Sequence, residues 1–100
     1  MSVEVSINEL NEDPKWREIF DYARAVSKKN SKNEDLEISN YFFLLKDFFQ
    51  EYGALYDSNV YYKDEVVYFI NEDRATVEKE VMQTWKETMQ KILNRYKWTY

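Results

Sequence analysis

Apolar and polar residues alternate from the second position: Val3, Val5 and Ile7 interleave with Ser2, Glu4 and Ser6. That is the two-residue period of a strand with one buried face, and it predicts a strand over 2–7. The period then changes. Asp13 stands directly before Pro14, a side-chain acceptor for free helix amides followed by the residue best tolerated at the first helical position. From there Trp16, Ile19, Phe20, Ala23 and Val26 share one side of a helix, opposite Arg17, Asp21, Arg24 and Lys28, which predicts a helix from Pro14 to about Lys29. The polar run "KKNSKNED" predicts the connecting loop.

The stretch "YFFLLKDFFQEYG", Tyr41 to Gly53, is the most apolar in the chain. Wound at about 100° per residue, Tyr41, Phe42, Leu44, Leu45, Phe48, Phe49 and Tyr52 fall within an arc of roughly 160°, with Lys46, Asp47, Gln50 and Glu51 on the remainder. It is expected to be an amphipathic core helix ended by Gly53 in a left-handed conformation. Phe43 points away from that arc, beside Leu36 if the helix begins early, and is expected at the surface. Val60–Tyr62 and Val66–Ile70 flank the polar Lys63, Asp64 and Glu65 and predict a β-hairpin over 60–70. Because Tyr61 and Tyr62 are adjacent, they must face opposite sides of their strand. Asn71 is the expected cap of a last helix over 72–97, with Glu72 and Asp73 at its positive end and Val77, Val81, Trp85, Met89, Ile92 and Tyr96 along its apolar side. The elements fall in the order β-α-α-β-β-α, a single α+β domain over 1–100 in which a small antiparallel sheet packs on three helices.

A last helix of that length measures ~39 Å, against a diameter of a little over ~30 Å for a compact domain of this size. Its apolar arc is also broad. Both features lead to the expectation of a homodimer in which Met82, Met89, Leu93 and Tyr96 pack against a second copy.

Composition narrows the chemistry. The chain has 100 residues with neither cysteine nor histidine, which removes disulfides, thiolate nucleophiles and the commonest general base and transition-metal ligand. The acidic pairs Glu34–Asp35, Asp64–Glu65 and Glu72–Asp73 have ordinary explanations as helix starts and turns. No catalytic residues, cofactor or metal are therefore expected, and the protein is expected not to be an enzyme. The net charge is −5, with ten acids against seven bases in residues 1–50 and nine against seven in 51–100. This disfavours nucleic acid as a partner and suits a protein that docks on a basic one. No charged leader precedes an apolar run, and the longest apolar run is far short of the ~20 residues of a membrane helix, so a cytoplasmic protein is expected. Phe, Tyr, Met, Ile, Asn and Lys total 41, against 10 for Gly, Ala, Arg and Pro, the bias of an AT-rich genome such as many bacteria and viruses have.

Two functional expectations follow. The first is a small acidic inhibitor, immunity or phage- or virus-encoded anti-host protein that occludes a partner's surface. It would use aromatic and apolar residues that are hard to place inside: Phe43, Tyr61 or Tyr62, Trp98 and Tyr100. The alternative is a nucleic-acid-binding regulator using Arg24, Lys28, Lys29 and Lys32, which gather at the end of the first helix and in the loop after it. The order β-α-α-β-β-α resembles that of type I KH domains, whose nucleic-acid loop lies where this cluster sits. The resemblance is one of topology, since "KKNSKN" stands where that family has its GXXG loop. Helices followed by a hairpin also resemble a winged helix, without a basic recognition face.

Overall fold

A computed structural model describes residues 2–56, 60–70 and 74–100. Seven elements follow one another: β1 (Ser2–Ser6), α1 (Ile7–Glu12), α2 (Pro14–Lys29), α3 (Glu34–Tyr56), β2 (Val60–Lys63), β3 (Val66–Ile70) and α4 (Arg74–Tyr96). This is the expected α+β arrangement with one helix more. The strand stops at Ser6, whose hydroxyl accepts from the Glu9 amide at 3.1 Å and so caps α1. Ile7 opens α1 instead of closing the strand, and its N–H donates to the Glu65 carbonyl at 2.9 Å. Asp13 closes α1 and caps α2 through the Lys15 amide at 3.0 Å.

The three strands form an antiparallel sheet in the order β1-β3-β2. One face carries Val5, Tyr62, Val67 and Phe69, all buried. Against it pack Ile7 and Leu10 of α1, Trp16, Ile19, Phe20, Ala23 and Val26 of α2, Leu44, Leu45, Phe48 and Phe49 of α3, and Val77, Val81, Trp85, Met89 and Ile92 of α4. Two expectations need correction. Helix α3 runs through Gly53 to Tyr56, so Gly53 does not end it; a right-handed glycine costs a helix only about 1 kcal/mol relative to alanine. The side chain of Tyr52 and the Asn71 cap, with Glu72 and Asp73, lie outside the described residues.

The last helix is also covered from Val77 to Leu93 by its own chain. At 23 residues it is about 35 Å long, whereas the principal extents are 41 × 24 × 22 Å. Helix α3 has the same length, and the two long helices make an elongated body with a radius of gyration of 13.1 Å. Helix α4 ends with Lys97 left-handed at φ 59°, the Trp98 N–H bonded to the Leu93 carbonyl at 3.0 Å and the Lys97 N–H to that of Asn94 at 3.3 Å. This Schellman closure turns Trp98 back onto the core. No helix among the described residues is long and apolar enough to cross a membrane.

Candidate functional site

The hairpin sets the site. Strands β2 and β3 close through a two-residue turn, Asp64 and Glu65, both with positive φ (53° and 63°), the backbone of a type I′ turn. That turn fixes the register Tyr62↔Val67 and Tyr61↔Tyr68. Tyr62 therefore faces inward, 8% exposed, its ring stacked on Phe49 at 6.0 Å. Burial first, then the nearby Glu65, raises its phenol above the usual range, so it stays neutral at neutral pH. Tyr61 faces outward, 47% exposed, beside Tyr68 at 5.9 Å.

Helix α3 lies along this hairpin. Its buried stripe, Leu44, Leu45, Phe48 and Phe49, leaves Phe42 half-buried at the margin and puts Ile38 and Phe43 outside, 58% and 46% exposed. Between Ile38, Phe42 and Phe43 on one side and Tyr62, Asp64 and Glu65 on the other runs a groove of about 460 Å³. It shares Lys46, Tyr62 and Asp64 with a second hollow of about 410 Å³ that reaches Gln50, Tyr61 and Lys63. Phe43 also meets Tyr96 at 5.4 Å, and Tyr96 meets Trp98 at 5.2 Å, so the apolar surface continues round to the end of α4. The fold thus joins Phe43, Tyr61, Tyr96 and Trp98 to one side of the molecule, and adds Ile38 and Phe42 to them.

Other candidate residues are placed differently. Met89 and Leu93 are 0% and 1% exposed within the single chain, so they are core and not the free flank of α4. The α4 arc is covered within the chain, by α3 and α2 among its neighbours, leaving Met82 and Tyr96 half-buried at its margin. Tyr62 is likewise core. Tyr100 is 65% exposed, but its ring stacks on Tyr22 at 4.5 Å, and Thr99 is held by the Asn30 amide, which donates to its carbonyl at 2.8 Å and accepts from its N–H at 3.3 Å.

The basic cluster is partly engaged inside the chain. Arg24 pairs with Asp21 at 3.7 Å and lies over the Tyr41 ring at 5.4 Å, and Lys29 donates to the Tyr100 main-chain oxygen. Lys28 and Lys32 are exposed. Among the described residues, no three acidic side chains converge as metal ligands would.

Two features were not read from the sequence. The Glu78 carboxylate is buried, accepts from the Trp16 indole and from Lys15 at 3.2 Å, and forms an ion pair with Arg74 at 3.4 Å, while Arg74 also donates to Asp13 at 3.2 Å. This network ties the start of α2 to the start of α4. The second is a wider groove of about 940 Å³ between α2 and α4. It is larger than the α3–hairpin groove. Its aromatic faces are engaged with one another, Tyr22 edge-on to Trp85 at 5.4 Å and stacked on Tyr100, and Arg17 and Lys86 alternate with Glu18 and Asp21 along it.

No family model matches the chain, and no curated protein or solved structure matches it either.

Proposed function

We propose that the protein is a small, non-enzymatic interaction module of the inhibitor or immunity type, possessing one docking face and acting by covering a partner's surface. The observation that carries this reading is the exposure of Ile38 and Phe43 along the groove between α3 and the hairpin, with Tyr61 exposed in the hollow that adjoins it. Clustered apolar and aromatic side chains on a rigid frame are the usual anchors of protein interfaces, whereas isolated exposed apolar residues need no explanation. The frame is rigid here because Phe42 and Tyr62, at the floor of the groove, are themselves packed on the core. The residue bias of an AT-rich genome supports a phage- or virus-type source.

A homodimer through α4 would have only Met82 and Tyr96 to build on, too small a patch for a stable interface. A nucleic-acid surface would need Arg24 and Lys29 free of Asp21, Tyr41 and Tyr100. The test is affinity capture from cells of the source organism with the wild-type chain and with the double variant Ile38→Ser, Phe43→Ser. A specific partner retained by the first and lost by the second, with folding intact by circular dichroism, is the expected result. Equal capture by both would refute the face, and tight, salt-sensitive binding of oligonucleotides would replace the reading with the nucleic-acid one.

A further inference from the structure

The apolar groove between α3 and the hairpin is lined by two carboxylates, Asp64 and Glu65, neither of them in an ion pair among the described residues. Asp64 and Glu65 form the hairpin turn at its edge, and Glu34 and Asp35 lie one helical turn before Ile38, outside the lining itself. All four are exposed. Among the described residues, none of the four is in an ion pair, although Arg24, Lys15, Arg74 and Arg95 elsewhere each have an acidic partner. Glu34 and Asp35 suit the positive end of α3, and Asp64 suits a turn. Glu65 has no such local reason. At φ 63° it occupies a position where glycine or asparagine would cost less, and its main-chain carbonyl, not its carboxylate, is what the fold uses.

From this we infer that the groove takes a cationic amphipathic segment of a partner protein: large apolar side chains seated against Ile38, Phe42 and Phe43, with Lys or Arg on the flank facing Asp64 and Glu65. The inference rests on the interaction-face reading above and adds the chemistry of the partner to it. Charge complementarity carries it. A groove of about 460 Å³ has room for one or two large side chains, and a rim of unpaired carboxylates raises the local concentration of cations and speeds their encounter. The same rim argues against a second copy as occupant, because a two-fold axis through the groove would bring the acids of both copies together. Lys46, at the inner end of the groove, sets the limit of the acidic border.

The test uses the full chain, labelled for amide nuclear magnetic resonance, and two synthetic helical peptides with one pattern of leucines and with either lysine or glutamate at every polar position. The lysine peptide is expected to bind and to move the amides of Ile38, Phe42, Phe43, Asp64 and Glu65 first. The rim variant Asp64→Asn, Glu65→Gln is expected to bind it about tenfold more weakly, and raising the salt should have a similar effect. Equal binding of the glutamate peptide, an unchanged rim variant, no binding at all, or shifts centred on Tyr22 and Trp85 would each overturn the inference. In the cellular capture, loss of the partner with Ile38→Ser, Phe43→Ser but full retention with the rim variant would uphold the face and reject the basic partner. Loss with both would support both.

Discussion

Single residues carry more of this structure than their chemistry suggests. Glu65 is a non-glycine residue held left-handed, at a cost of about 1 kcal/mol relative to glycine, so Glu65→Gly is expected to stabilise the fold by roughly that amount in chemical denaturation while removing one rim charge. Leu45 and Phe43 are two positions apart on α3 with opposite surroundings. Leu45→Ala is expected to cost about 2–5 kcal/mol, and Phe43→Ala, whose ring is 46% exposed and touches Tyr96, under about 1 kcal/mol. Asp47 gives a pH signature. Burial raises its pKa above the usual carboxylate value, and Arg95 and Lys46 only partly offset this. A carboxyl whose folded pKa lies above its unfolded one favours folding when protonated and opposes it when ionised, so its contribution is lost as pH rises through the folded value. Asp47→Asn should therefore raise the melting temperature at neutral pH, and that advantage should shrink as pH falls through the raised pKa.

At the scale of elements, what was legible depended on whether one face of one element determined its surroundings. The one-sided stripe of α2 and the buried arc of α3 could be read directly, because helical periodicity names the core face without reference to neighbours. Phe43 follows from the same rule, whereas strand alternation puts one of Tyr61 and Tyr62 outside without saying which, and Ile38 lies before the apolar stretch that defines the arc. Helix α1 was missed because Ile7 continues the alternation of Val3 and Val5, although Ser6 followed by Glu9 already had the spacing of a capping box. Met89 and Leu93 were assigned to a free flank because the width of an arc does not reveal how many neighbours cover it. Nothing local marks Glu78 as buried. Its partners Lys15 and Trp16 come from the other end of the chain and meet it only in the fold. Glu78→Ala leaves the Trp16 indole without its acceptor and Arg74 with Asp13 alone. It is expected to lower stability by about 2–4 kcal/mol, read as a shift in the denaturation midpoint, and to uncouple the starts of α2 and α4.

For the whole molecule, two parallel features point to a self-sufficient body with one working side. The long α4 is covered by its own chain, and two of the exposed large apolar residues, Ile38 and Phe43, border the α3–hairpin groove. The chain is expected to sediment as a 12.3 kDa species at tens of micromolar, and a stable dimer there would require an interface that Met82 and Tyr96 do not supply. The most direct test of the interaction face is amide hydrogen exchange of the full chain, alone and with the partner that Ile38→Ser, Phe43→Ser fails to capture. Added protection over residues 36–46 and 61–66, with α2 and α4 unchanged, is the result this account predicts. Protection confined to α2, α4 and the Tyr100 segment would contradict it.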